Sequence, residues 1–399
     1  MRIVTSTELS EEQEKIYYDS PFEGVIIIIG PPGSGKTIMG LVRANALSEY
    51  FEKITIVMFN QVLFQFTKNG VNGKNVNAKT LYSWLGKWWL NWYGRFYPTI
   101  YIPGVKFRPP DFDEMIVKAL GKQSKENIDS DRINWGHLII DEGQDFSNQF
   151  YGFMNRFRSL FFNKIEPPSM TILADENQRL REDNSTIAEI KELLVINDND
   201  GQRTFHLSKN YRNSDPINEI SNYFYPGLGS GKTDPSGRDG PKPVLVKRKS
   251  SEEMIDYIVK YVKKHENEEI GIVVGSDDER KEIYNRLKDN LDEKYFNVQT
   301  YAYYEGKASK LIFDEKGITI LNLESIKGLE FDAVFIPYLE NRDTDSDNIE
   351  IIKMNMYVMC SRARNFLALM MIDYSSNPLP MMNLLPAENK GILEYDYEK

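Results

Sequence analysis

The chain has one cysteine, Cys360, and three histidines, His137, His206 and His265, among 399 residues. One thiol excludes an internal disulfide framework and a multi-cysteine zinc site, and fits a reducing compartment. Three scattered histidines leave little for a metal cluster or a nucleophile-histidine mechanism, so the chemistry falls mainly to carboxylates, lysine and arginine. The longest purely apolar run, from Phe366 to Ile372, is far short of the roughly 20 residues that cross a bilayer. The opening MRIVTSTELSEEQEK has no apolar stretch of the kind a secretory signal needs. These absences lead us to expect a cytoplasmic protein without membrane partners. Basic excess is missing too: the net charge is −10 and the pI near 5.2. The molecule as a whole therefore repels phosphate backbones, and any nucleic-acid binding must use a local basic groove.

What is present is ordinary for a globular chain, at 41% hydrophobic and 27% charged residues. The length suggests two or three domains on a prior of about 150 residues each. Short Ile- and Val-rich runs recur at 24–29, 54–59, 137–141, 170–175, 270–275, 317–323 and 333–338, separated by helix-length segments. That pattern predicts parallel strands buried on both faces, an α/β class with doubly wound sheets. Helices are predicted from Ile38 to Phe51, Ser185 to Leu194 and Ser251 to His265; in the last, Met254, Ile255, Ile258, Val259 and Val262 form an apolar stripe. The Gly- and Pro-rich tract from Pro226 to Pro243 predicts an exposed surface loop, and the tail ENKGILEYDYEK is expected to be peripheral.

GPPGSGKT, from Gly30 to Thr37, sits between an apolar strand and a helix. Gly30, Gly33 and Gly35 allow the loop to curl so that successive backbone N–H groups, including that of Ser34, face the phosphates of a nucleotide. Lys36 would bring its ammonium to the same phosphates, and Thr37 its hydroxyl to Mg²⁺. GSGKT at Gly229 to Thr233 imitates this loop, but Pro226 stands where the first glycine belongs and no helix pattern follows. A second apolar strand ends in Asp141 and Glu142, at the sheet edge where open α/β folds bind ligands. Asp141 would hold Mg²⁺, and Glu142 would orient and deprotonate an attacking water. LADENQ adds Gln178, whose amide can donate and accept at once. ATP and Mg²⁺ are thus the expected substrate and cofactor.

These strings resemble the UvrD/Rep-like superfamily 1 helicases, in the family's order, from about Leu9 to Met370. ELSEEQ is similar to the adenine-reading segment, which implies base recognition by Gln13. SKNYRN resembles the motif that would make Tyr211 an adenine stack and Arg212 a γ-phosphate ligand. SIKGLEFDAVFIP resembles the motif with Gly328 near the phosphates and Glu330 on the ribose, and YVMCSRAR the motif whose Arg362 is a second arginine finger. The resemblance implies two RecA-like domains, 1–205 with a small insertion at about 84–136 and 206–399, with ATP in the cleft between them. It also implies a translocase or helicase on single-stranded nucleic acid, DNA foremost. The second of the family's two accessory insertions has no room here. Ala174 and Glu324 depart from the family at strand-contacting motifs and largely spare the nucleotide residues.

Candidate strand contacts are Phe59, Asn60, Thr80, Ser83, Trp84 and Ser325. TLYSWLGKWWLNWYGRFY (80–97) sets Trp84, Trp88 and Trp92 beside Lys87 and Arg95. Such a stretch can stack unpaired bases, or it can be a helical stripe packed inside the insertion. Two other functions stay open. The chain could be an ATP-dependent switch that gates a protein partner, such as a nuclease in bacterial defence. A phosphotransferase would use the same loop but leaves Gln13, DEGQD and the two arginines unexplained.

Overall fold

In the computed structural model the described residues are 9–58, 60, 62, 64, 75–104, 107–126, 128–179, 184–199, 201–302, 311–312, 316–342, 349–372 and 380–397. β-branched runs make its strands, because their side chains pack well on a pleated surface covered from both sides. β1 (Val25–Ile29) is buried at every position. With β2 (Ile54–Met58), β3 (Val76–Thr80), β4 (His137–Ile140), β5 (Ser169–Ala174) and β6 (Thr204–His206) it forms a sheet ordered β3-β2-β4-β5-β1-β6. The second sheet contains β7 (Val244–Arg248), β8 (Glu269–Val274), β9 (Val298–Thr300), β10 (Gly317–Asn322), β11 (Phe331–Ile336), β12 (Ala363–Ile372) and β13 (Glu394–Tyr397). Its order is β13-β7-β12-β11-β8-β10-β9. Every described pairing in both sheets is parallel.

α1 (Glu11–Asp19) precedes β1, and between the strands of the first sheet run α2 (Lys36–Leu47), α3 (Leu81–Tyr93), α4 (Phe112–Gln123), α5 (Ser130–Ile133), α6 (Asn148–Phe161) and α7 (Ile187–Leu193). The second half contributes α8 (Asp215–Tyr223), α9 (Ser251–Lys264), α10 (Asp277–Asn290), α11 (Leu323–Ile326) and α12 (Ile349–Cys360). The apolar stripe of α9 is buried against the second sheet. No helix among the described residues is long and apolar enough to cross a membrane.

The longest apolar run is part of β12, an inner strand of the second sheet. One reading of the sequence changes. The tract from Pro226 to Pro243, expected at the surface, is partly packed: Ser230 and Thr233 are buried. The amide of Glu176 donates to the Ser230 hydroxyl (2.7 Å), and the Asn177 side chain donates to the Gly231 carbonyl (3.2 Å). Polar side chains that meet backbone groups let a loop of turn residues pack against the first half without leaving those groups unpaired.

The tryptophan stripe is core. Trp84 and Trp88 stack with ring centroids 5.7 Å apart, and Trp88 meets Trp135 and Phe157 edge-on. The Trp88 indole donates to the Ile133 carbonyl (2.9 Å), so its polar atom is satisfied inside the cluster.

At the amino end of β4, His137 is buried with Nε2 2.9 Å from the Thr171 hydroxyl, which also accepts from Arg43 Nε at 2.9 Å. Burial and the Arg43 charge push its pKa down to about 3 from the usual 6.5. A base that resists protonation when folded stabilises the fold fully above pH 6.5 and loses that contribution as pH falls toward 3. The His137 contribution to stability in urea unfolding should therefore drop below about pH 6.5 at up to about 1.4 kcal/mol per unit. His137→Gln should flatten that dependence; an equally steep one in the variant would contradict the assignment.

Candidate nucleotide cleft

Gly33 and Gly35 take left-handed backbone, with φ of 79° and 87°. A Cβ at Gly33 would lie 2.3 Å from Asn210 Oδ1, and one at Gly35 would lie 2.3 Å from Gln13 Nε2. Conformation and space both demand glycine at these positions. Gly35 caps α2 without a side chain, and the first turn of α2 lines the cleft, so its amide end is suited to an anion. Ser34 is buried and donates to the Pro31 carbonyl (2.8 Å).

Lys36 folds back over the loop and donates to the carbonyls of Gly30 (2.6 Å) and Pro31 (3.1 Å), with Asp175 3.7 Å away. Burial lowers its pKa and Arg212 adds to this, against the pull of Asp175, Glu142 and Asp141.

At the carboxyl end of β4, the Thr37 hydroxyl donates to Asp141 Oδ2 (2.9 Å), and the Glu142 amide donates to Oδ1 (3.0 Å). Burial, then Glu142, pushes Asp141 up to about 7. Burial also acts to raise Glu142, but Lys327, Lys36, the Gln144 hydrogen bond and Arg362 outweigh it and hold Glu142 below its usual range. Glu142 sits at a positive φ of 53°, a costly conformation for a residue with a side chain. Gln144 fixes it: its amide nitrogen donates to Glu142 Oε2 (2.5 Å), and its oxygen accepts from the Asp175 amide (2.9 Å). The string DEGQD contained Gln144, but nothing in the spacing revealed that it orients Glu142.

No group of three or more metal-ligating His, Cys, Asp or Glu side chains exists among the described residues. Magnesium does not need one when a substrate phosphate and water complete its six oxygens. Thr37 and Asp141, already in contact, supply a matching pair of hard oxygens.

The second half reaches the same cleft from the amino ends of its strands. The Tyr211 amide donates to the Gly33 carbonyl (2.9 Å), directly beneath the loop. Arg212 pairs with Glu330 (2.5 Å), whose other oxygen takes Arg364 (2.9 Å). Burial opposes ionisation of Glu330, but Arg212 and Arg364 prevail and hold its pKa at about 2. Arg362 is buried and donates to Gln178 Oε1 (2.7 Å); burial, then Arg212, lowers its pKa to about 10. Gln178 in turn donates to Asp175 Oδ2 (2.6 Å).

The resulting cleft holds about 350 Å³. Gln13, Gly33, Gly35, Lys36, Thr37, Glu142, Gln178, Tyr211, Arg212, Gly328, Glu330 and Arg362 all line it, together with Arg238 and Arg364. Gly30, Ser34 and Asp141 stand outside the lining. Arg364 looks like a surface ion-pair residue in the sequence; here it faces the cleft and pairs with Glu269 and Asp332 as well as Glu330.

Candidate strand contacts are more dispersed. Phe59 lies outside the described residues. The Asn60 side chain crosses to the carbonyls of Glu324, Ser325 and Lys327 (3.2, 3.3 and 3.0 Å). Ser325 is buried there. Thr80 is half-buried at the end of β3 and Ser83 is exposed. Trp84 is buried in the aromatic core, so its ring is not brought to a strand.

A second cross-cleft contact joins Lys327, buried to 3% exposure, to Asp145 (2.5 Å) and to the Gln178 carbonyl (2.5 Å). Breaking a buried pair by removing one partner costs about 3–5 kcal/mol. Lys327→Met should therefore open the cleft, measured as a larger radius of gyration in small-angle scattering. An unchanged radius would show that the pair does not hold the halves together.

No family model matches the sequence, and no curated protein matches it. Among solved structures, the chain is similar to the crystal structure of the C-terminal domain of a possible DNA helicase from Lactobacillus plantarun WCFS1. The identity is 21% and the TM-score 0.33, over 47% of this chain and 99% of that one. A likeness of that size assigns neither activity nor substrate to this chain.

Proposed function

We propose that the chain is an ATP-driven translocase or helicase on single-stranded nucleic acid, DNA foremost, that hydrolyses ATP between two RecA-like halves. One observation carries this reading: Arg212 and Arg362 line the same cleft as Lys36, Thr37 and Glu142. Its order of motifs also resembles that of UvrD/Rep-like helicases.

In the proposed cycle Lys36 exchanges the Gly30 and Pro31 carbonyls for the β- and γ-phosphates. Thr37 and Asp141 would hold a magnesium ion, which when bound would supply positive charge to the phosphates. Glu142, held ionised and oriented by Gln144, accepts a proton from the attacking water. Arg212 leaves Glu330 for the γ-phosphate, and Arg362 neutralises charge that develops in the transition state. Arg364 keeps the freed Glu330 ionised, so its oxygens can accept from ribose hydroxyls. The base is read by the Gln13 amide and stacks on Tyr211, which is 37% exposed. Gln178 touches Arg362 and Asp175, and its carbonyl holds Lys327. A γ-phosphate that displaces these contacts therefore moves the segment of residues 324–327 that Asn60 grips.

ATP hydrolysis should rise when single-stranded DNA is added, and a rate indifferent to every nucleic acid would contradict the reading. Lys36→Ala should abolish hydrolysis. Glu142→Gln should bind ATP yet hydrolyse it about 10²–10⁴-fold more slowly; normal turnover would remove Glu142 as the base.

A further inference from the structure

With the tryptophans inside the core, the exposed aromatic surface lies just after them. Beyond α3 the chain doubles back: the Ile100 amide donates to the Pro109 carbonyl, the Asp111 amide donates to the Pro98 carbonyl (both 2.9 Å), and Thr99 bridges Pro110 antiparallel. Around this ribbon Phe96 is 79% exposed, Tyr101 65% and Phe107 41%. Large apolar side chains this concentrated at a surface mark a contact face.

Its charge indicates the partner. From Gly94 to Pro110 the sequence contains no Asp or Glu, in a chain of net charge −10. Arg95 and Arg108 are exposed there, and the Arg108 guanidinium lies over the Tyr101 ring, 5.1 Å from its centroid. Asp111, which closes the ribbon, turns its carboxylate to the Glu114 amide at the start of α4 (2.9 Å), and ring faces beside guanidinium groups match a polyanion that carries flat apolar faces, which is a single strand with unstacked bases.

The ribbon is also in the right place. Phe107 rests on Tyr82 with ring centroids 4.8 Å apart, and Tyr97 lies 3.6 Å from where a Cβ on Gly86 would sit. Tyr82 falls between Thr80 and Ser83, at the carboxyl end of β3. β3 pairs with β2 through Met58 and Thr80, two residues before Asn60.

We infer that Phe96, Tyr101 and Phe107, with Arg95 and Arg108, form a stacking platform that takes a single strand as it leaves the carboxyl edge of the first sheet. This deepens the translocase reading and rests on it.

The test is binding of a fluorescein-labelled oligo(dT) to the full chain, followed by anisotropy. Phe96→Ala with Tyr101→Ala should weaken Kd at least fivefold, the low end for one lost base stack, with ATPase activity in the absence of nucleic acid unchanged. Tyr101→Phe, which keeps the ring, should bind as the parent does. Arg108→Gln should reduce the slope of log K against log salt by about 0.7, and unlabelled duplex should compete poorly. An unchanged Kd in the double variant, or equal competition by duplex, overturns the platform and leaves the ribbon as a protein-docking face. Absence of ATPase activity in the parent protein overturns the translocase reading itself, so the two failures are distinguishable.

Discussion

A line of polar contacts runs across the cleft from Arg362 to Gln178, on to Asp175 and then to Lys36. Both terminal groups are buried cations, and a buried cation is costly unless something partners it. Each therefore has a replaceable partner: Lys36 the carbonyls of its own loop, Arg362 an amide oxygen. Arg212, on Glu330, is held in the same way. An incoming triphosphate would find its counter-charges already desolvated and close by; Lys36 and Arg362 would give up neutral oxygens, whereas Arg212 would exchange one anion, Glu330, for another. That is preorganisation, which places most of the reorganisation cost in folding rather than in binding.

The two sheets set up this arrangement by presenting opposite ends. The first offers its carboxyl edge: the loop after β1, the carboxylates after β4, and Asp175 and Gln178 after β5, with β5 lying between β1 and β4. The second offers the segments that precede β11 and β12, where Glu330 and Arg362 sit. Contacts between the halves lie on both sides of the cleft, with Tyr211 on Gly33 at one side and Lys327 and Asn60 at the other.

Local signals made much of this legible. The buried runs gave seven strands because apolar residues, Ile and Val foremost, dominate each of them. Gly33 and Gly35 were readable because their backbone and their crowding require glycine. β3 was not readable, since VNAKT is a half-exposed edge strand with little apolar content, and β6 is too short to show a period. Residues 226–243 carry turn chemistry, which indicates loop but not whether the loop packs. Arg238 and Arg364 were hidden because an arginine's long side chain reaches a site that its sequence position does not announce. Trp84 was read both as a strand contact and as part of a helical stripe with Trp88 and Trp92, and burial decides for the stripe in the core.

The central claim is that one triphosphate is held from both halves at once. It is tested most directly by the single-turnover hydrolysis rate of Arg362→Ala, with ATP binding to the same variant measured in parallel. ATP should bind while hydrolysis falls by about 10³-fold or more, as for the loss of an arginine that neutralises transition-state charge. Hydrolysis at the parent rate by a variant that binds ATP would show that the second half takes no part in the chemistry.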